Sequence, residues 1–174
     1  MEKKRLITRV VIGVVIFLVF INLLLPKDFF GYYRDIDMVR EEQSEIYDNG
    51  VFVCTQETEN RYMDFIVGEG LNIIKIKFKN TIFGYKYRVS SIQTFPDLQE
   101  LLKENSEYYN QHKDLSFSYA SWMDEWTTKP SEKVLWAILP AEYVVENLEA
   151  DVSMHKFTFE DNEYVLYVKV EKVE

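Results

Sequence analysis

The longest apolar run of the chain lies at its N-terminus. Residues 10–25 carry no charged side chain, and Asn22 is their only strongly polar residue. As a helix, segment 6–25 would rise about 30 Å, which matches the hydrocarbon core of a bilayer. Pro26 ends the run, because proline cannot continue a helix without losing a hydrogen bond. The pattern predicts a transmembrane signal-anchor helix within an N-terminal segment 1–26.

A cleaved signal peptide is the alternative for this run. Signal peptides share the basic start, but their apolar region is shorter, about 7–15 residues, and a small-x-small cleavage site follows it. Here the run is longer, and Gly31 is the only small residue that closely follows it. The cations that precede the run are Lys3, Lys4, Arg5 and Arg9. By the positive-inside rule, the N-terminus is expected in the cytoplasm and the bulk of the chain outside the plasma membrane.

Segment 27–49 combines aromatic residues with a loose helical spacing. Its aromatic side chains near the apolar run are Phe29, Phe30, Tyr32 and Tyr33. They fit the aromatic belt of a membrane interface at headgroup depth, and the alternative is that they begin the core of the following domain. The spacing of Ile36, Val39 and Ile46 then indicates a juxtamembrane helix or an irregular arm.

Segment 50–174 contains several short stretches in which apolar and polar residues alternate. The clearest is 73–89, where Ile74, Ile76 and Phe78 alternate with the lysines, and Tyr85, Tyr87 and Val89 alternate with further cations. The cations of this stretch are Lys75, Lys77, Lys79, Lys86 and Arg88. Period two is what a half-buried strand requires. The stretch predicts a hairpin whose apolar side chains supply core and whose cations face water.

The remaining patterns add strands and two helices. Stretch 96–112 has apolar residues of helical period, with Pro96 expected at the first helical position, and stretch 140–151 predicts a second, short helix. A final hairpin turns at Asp161-Asn162, with the core face on Leu166, Val168 and Val170. The expected fold class is α+β: an N-terminal transmembrane helix, then one mostly antiparallel sheet domain of about five to seven strands with about two packed helices.

The charge and the cysteine content indicate the class of partner and the cellular compartment. Residues 28–174 hold 15 Lys and Arg against 28 Asp and Glu, a net charge of −13, which disfavours nucleic acid as the main partner. The single cysteine excludes an intramolecular disulfide, and no glycosylation sequon follows the apolar run. Lysine also outnumbers arginine, 14 to 6. Together these features favour a bacterial cell envelope.

Catalytic and metal-binding patterns are weak. Nucleophilic catalysis would need Cys54 beside His112 or His155, and no local signature supports that pairing, so Cys54 is expected to be a small core residue. Metal motifs such as CxxC and HExxH are missing from the sequence. The acidic stretch 160–163 is expected to be a solvated turn rather than a calcium site. No cofactor is predicted.

Two groups of residues are candidates for binding a partner. The first is a loop in which Trp122, Asp124, Glu125 and Trp126 stand close together. Indole rings can anchor a protein or stack on a sugar; the alternative is that both tryptophans cap the core while the acids face water. The second group is the set of five cations in stretch 73–89. These could bind lipid headgroups, an acidic polymer or an acidic protein, and the alternative is the solvated side of a sheet.

These patterns favour a single-pass, membrane-anchored extracytoplasmic interaction protein that does no chemistry. Its expected contacts are the lipid bilayer, through residues 6–25, and a protein or an envelope polymer. The alternative function is a weak glycan-acting envelope enzyme that uses Asp124 and Glu125 as an acidic pair.

Overall fold

The computed structural model describes residues 2–25, 27–28, 30–58, 61–81, 84–120, 132–143, 145 and 148–172. The described residues form four helices, α1 (Glu2–Leu24), α2 (Ile36–Glu42), α3 (Ser44–Asp48) and α4 (Leu98–His112). They also form eight strands, β1 (Val51–Thr58), β2 (Arg61–Val67), β3 (Leu71–Thr81), β4 (Gly84–Phe95), β5 (Ser118–Ala120), β6 (Glu132–Pro140), β7 (Val152–Phe159) and β8 (Asn162–Lys172).

The strands form two antiparallel sheets of four strands each. The first sheet has the order β1-β2-β3-β4 and the second β5-β6-β8-β7. The predicted α+β class with mostly antiparallel strands is confirmed. The prediction of a single sheet was wrong, because α4 separates β4 from β5 along the chain and the later strands pair only with one another.

The main core lies between the two sheets. Met63, Phe65 and Ile73 from the first sheet share it with Trp136 and Leu166 from the second. The Phe95 ring meets the Trp136 ring edge to face, with ring centroids 4.8 Å apart. Buried aromatic and aliphatic side chains of this kind supply most of the stabilisation of a small domain.

The outer faces of both sheets are covered as well. On the first sheet, Val39 of α2 packs with Ile66, Ile74 and Ile76. On the second, Tyr109 of α4 and side chains from segment 141–152 pack over β6 and β8. Each sheet therefore buries residues on two sides, so a strand such as β2 shows no simple alternation of apolar and polar residues.

The two predicted helices of the domain have different outcomes. Helix α4 forms but begins at Leu98, because the Asp97 side chain accepts a hydrogen bond from the Glu100 amide and caps it. Pro96 thus lies before the cap and not at the first helical position. The second predicted helix is wrong: among the described residues of 140–151, Pro140 ends β6, 141–142 and 150–151 are turns, and the others have no regular structure. Apolar side chains of this segment pack on the outer face of the second sheet.

Upstream, the predicted juxtamembrane helix forms as two short helices, α2 and α3, which are separated at Gln43. The N-terminal run also forms a helix, α1, whose side chains are described for residues 7–21. Over the described residues, no helix combines the length and the apolar character that crossing a membrane requires.

Candidate functional site

The first group of candidate residues lies outside the described part of the chain. Trp122, Asp124, Glu125 and Trp126 belong to segment 121–131, which separates β5 from β6. Their role as a partner-binding loop, or as an acidic pair, stays a prediction. The second group, the five cations of stretch 73–89, is described completely.

The five cations share one face of the β3–β4 hairpin. Lys77 stands opposite Arg88 and Lys79 opposite Lys86, and residues directly paired across an antiparallel ladder point to the same side. The apolar side chains Ile74 and Ile76 lie on the other face, under α2. The predicted hairpin and its two faces are therefore confirmed for the strands themselves.

Lys75 does not face water, contrary to the sequence prediction. It is only 2% exposed, and its ammonium group donates a hydrogen bond of 3.1 Å to the Gln93 side chain. Burial, with a smaller contribution from the nearby Arg61 charge, lowers the pKa of Lys75 to about 8. The alternation separated the two faces of the hairpin correctly. It could not reveal that the face with the cations also carries Ile73, which lies in the core between the sheets.

The outer end of the hairpin binds the segment that follows α1. We call residues 27–34 the arm, and residues 79–81 and 84–88 the hairpin tip. The Asp28 carboxylate accepts a hydrogen bond of 2.7 Å from the Lys86 ammonium and bonds of 2.9 Å from the backbone amides of Phe30 and Tyr32. Gly31 adopts a φ of +77°, which allows the tight turn that brings these amides to the carboxylate.

The Asp28 carboxylate stays charged in this position. Burial opposes ionisation, but the hydrogen bonds from Lys86 and from the amides of Tyr32 and Phe30 outweigh it and hold the pKa of Asp28 below its usual value. Lys86 is itself largely covered, so this is a shielded ion pair rather than a surface one. It ties the arm to the hairpin tip.

Tyr32 and Tyr33 complete the attachment of the arm. The Tyr32 ring is buried and contacts two cations, with its centroid 3.8 Å from the Lys79 ammonium and 4.9 Å from the Arg88 guanidinium. Tyr33 exchanges two backbone hydrogen bonds with Tyr87, of 2.7 and 2.8 Å, and so extends the first sheet. The aromatic-belt prediction is therefore wrong for these two tyrosines, which begin the domain core.

Two aromatic side chains at this end of the molecule remain open. Phe30 is 72% exposed, although its carbonyl oxygen accepts a hydrogen bond of 3.4 Å from Arg88. Tyr85, in the hairpin tip, is 53% exposed, which corrects its prediction as a core residue. Phe29 lies outside the described residues. The end of the domain closest to α1 along the chain thus combines exposed aromatic rings with clustered cations.

A second polar cluster escaped the sequence analysis. Asp64 of β2 is fully buried, and its carboxylate accepts hydrogen bonds from the Arg40 guanidinium at 2.8 and 3.3 Å, the Tyr47 hydroxyl at 2.5 Å and the Thr55 hydroxyl at 2.6 Å. The carboxylate raises the pKa of Arg40, and burial together with the carboxylate raises the pKa of Tyr47. The only sequence signal was an aspartate inside the apolar stretch 61–67.

Cys54 is a core residue, as expected. It lies among the buried side chains between the sheets, and burial raises the pKa of its thiol to about 12. A thiol with that pKa supplies almost no thiolate at neutral pH, so it is a poor nucleophile. His155 bonds to the Ser153 hydroxyl at 3.2 Å, and burial lowers its pKa.

The described residues hold no group of three or more His, Cys, Asp or Glu side chains that could bind a metal ion.

The arm and the hairpin tip can attract an anion. Lys79 and Arg88 contact aromatic faces, and no ion pair among the described side chains includes either of them. This interpretation rests on the site's own geometry: no protein-family model matches the sequence, and no curated protein or solved structure is significantly similar to it.

Proposed function

We propose that this chain is a single-pass, membrane-anchored interaction protein of a bacterial cell envelope. Helix α1 would cross the plasma membrane with the N-terminus in the cytoplasm, and the two-sheet domain would lie outside. The domain would act by binding a component of the envelope, without catalysing a reaction.

The surface of α1 carries this proposal. Ile7 and the ten Val, Ile, Leu and Phe residues from Val10 to Phe20 are between 47% and 62% exposed. They surround the helix on all sides, whereas a helix that packs on a domain keeps one polar side. Exposed apolar surface costs about 25 cal/mol per Å² in water, so a helix of this kind needs an apolar environment. In the sequence the apolar run continues to Leu25, and segment 6–25 would rise about 30 Å as a helix, which matches the hydrocarbon core of a bilayer.

The interaction role is supported by the uneven surface of the domain. Residues 28–174 carry a net charge of −13, yet five of their fifteen cations fall within residues 75–88. Four of these five lie at the end of the domain that is joined to α1 through the arm. Such local concentration of one charge on an oppositely charged molecule favours a defined orientation toward a partner.

Topology can be tested with single cysteines. In a Cys54→Ala background, Met154→Cys places a thiol at a side chain that is exposed in β7. We expect a membrane-impermeant maleimide to label it in intact cells, and the chain that retains only Cys54 to stay unlabelled because that thiol is buried. Labelling of Met154→Cys only after the cells are opened would invert the proposed orientation.

Anchoring can be tested with matched substitutions in α1. Val15→Arg together with Phe17→Arg should release the chain from membranes, because each arginine at mid-helix costs about 2.5–3.5 kcal/mol on insertion. Val15→Leu together with Phe17→Leu is the control and should resist alkaline carbonate extraction as the unmodified chain does. Extraction of the unmodified chain by carbonate would contradict the anchor.

A further inference from the structure

We propose that the hairpin tip and the arm form a docking surface for the acidic phospholipid headgroups of the bilayer that holds α1. The surface is the end of the hairpin, where Lys79 and Arg88 lie with the exposed Phe30 ring on one face and the exposed Tyr85 ring lies on the other. The proposal rests on the membrane anchor proposed above, and it names the partner of this end of the domain.

Chain connectivity keeps this surface close to the end of α1. The helix ends at Leu24, and Asp28 is bonded to Lys86 of the hairpin tip. Four residues span at most about 14 Å even when fully extended. The hairpin tip is therefore held near the membrane surface whatever the tilt of the domain, because the arm cannot extend without breaking the buried Asp28–Lys86 pair.

The hairpin tip brings like charges close together, and a bound anion would reduce their repulsion. Cross-strand partners lie about 5 Å apart, and like charges directly opposite each other are unfavourable. Two such pairs stand in adjacent positions: Lys79 with Lys86, both in the tip, and Arg88 of the tip with Lys77, which precedes it. Asp28 neutralises Lys86. Lys79 and Arg88 instead lie over the Tyr32 ring, which leaves N–H groups on each cation available for phosphate oxygens.

The two exposed aromatic rings fit the headgroup region of a bilayer. Aromatic side chains are enriched at the level of the headgroups, where an apolar ring can enter the interface while its neighbours stay hydrated. Phe30 and Tyr85 are open to solvent at the same end of the hairpin as the two cations. A soluble anion would use the cations alone, whereas a lipid surface also accounts for the exposed rings.

The charge of the remaining domain selects which face approaches the lipids. Acidic lipids repel a domain whose net charge is −13, but at physiological salt charges act over only about 8–10 Å. The cations nearest the bilayer therefore decide the orientation. The domain would contact the membrane through its basic tip, and its acidic surface would face away from the membrane.

The test uses the full chain in lipid nanodiscs whose headgroups carry a gadolinium chelate, and measures the broadening of the amide signals of residues 84–88. One set of discs contains phosphatidylcholine alone and the other adds phosphatidylglycerol. Some broadening is expected in both sets of discs, because the arm holds the tip near the bilayer. We expect clearly stronger broadening with phosphatidylglycerol, and a smaller difference between the two lipids in 0.5 M salt.

The variants separate charge from ring contacts. Each cation near an acidic membrane contributes about a fivefold factor, so Lys79→Gln with Arg88→Gln should lower the ratio of docked to undocked domain about 25-fold. Lys156→Gln with Lys172→Gln, both exposed in the second sheet, is the matched control and should leave the ratio unchanged. Phe30→Ser, which alters no ion pair, should lower the ratio as well and guards against misfolding of the double variant.

The outcomes keep the two proposals distinguishable. A chain that fails to co-purify with the discs overturns the anchor and the docking surface together. A chain that inserts but shows equal broadening in both lipids, or none, overturns the docking surface alone. Binding of polyglutamate to the tip in phosphatidylcholine discs, without an effect of phosphatidylglycerol, would identify an acidic protein as the occupant and overturn the lipid proposal.

Discussion

The surroundings of Lys75 change the pKa of its ammonium group. Its ammonium group is buried beside Gln93 and close to the charge of Arg61, and burial lowers its pKa to about 8. An unfolded lysine has a pKa of about 10.4. Between pH 8 and 10 the folded chain therefore binds fewer protons at this residue than the unfolded chain, so this residue makes the free energy of unfolding rise with pH.

Lys75→Met should reveal this contribution. At pH 7 the variant should be more stable by about 1–3 kcal/mol, because a flexible apolar side chain replaces a charge that burial disfavours. Its advantage over the unmodified chain should shrink between pH 8 and 10, as measured by urea unfolding at several pH values. Comparison of the two chains cancels the opposite effect of Cys54, whose raised pKa lowers stability in the same window.

Lys156→Met is the control for this measurement, because Lys156 lies exposed in β7. It should change stability by less than about 0.5 kcal/mol at every pH. An advantage of Lys75→Met that stays constant from pH 7 to 10 would show that Lys75 is not the titrating group.

Helices α2 and α3 are held on the first sheet by a buried polar cluster and by the apolar side chains that pack beside it. The Asp64 carboxylate joins Arg40 of α2 and Tyr47 of α3 to β2, while Val39 and Ile74 pack beside it. A buried carboxylate is favourable only when its oxygens are fully bonded, and here four hydrogen bonds from three side chains surround it. The cluster fixes where the two short helices lie.

Asp64→Asn should therefore destabilise the fold strongly. The substitution leaves the Arg40 guanidinium partly buried without its carboxylate, which costs about 3–5 kcal/mol. Asp37→Asn is the matched control, because Asp37 also pairs with Arg40, at 3.3 Å, but its carboxylate is exposed and should contribute less than about 1 kcal/mol. Equal losses in urea unfolding for the two variants would contradict a structural role of the Asp64 cluster.

These elements also show what the sequence could predict. Period-two alternation located the β3–β4 hairpin and its two faces correctly, since that signal is local. It could not indicate that both faces are covered beside β2 but open at the hairpin tip. Lys75 was therefore wrongly assigned to solvent and Tyr85 wrongly assigned to the core. Strand β2 escaped prediction because its burial on both sides removes the alternation. The polar contacts of Asp28 and Asp64 join residues 58 and 24 positions apart, and no local pattern encodes such pairs.

At the scale of the whole molecule, the described residues form an apolar helix with an exposed surface and a domain that covers both faces of its sheets. The described side chains of α1 stay exposed, so they add nothing to the three clusters of buried residues. The arm, in contrast, belongs to the domain: Tyr32 and Asp28 are buried in it. These contacts lead us to expect that the arm unfolds together with the domain.

Two truncations test this expectation. A chain that starts at residue 27 should fold, remain soluble without detergent and unfold within about 2 °C of the full chain, because none of the described side chains that are removed is buried in the domain. A chain that starts at residue 35 also loses the Asp28–Lys86 pair, the buried Tyr32 ring and the backbone pairing of Tyr33 with Tyr87. It should unfold about 5–10 °C lower, since a loss of about 1 kcal/mol lowers the midpoint by about 2–4 °C in a domain of this size. Thermal unfolding followed by circular dichroism gives both midpoints, and equal midpoints for the two truncations would mean that the arm is not part of the folded domain.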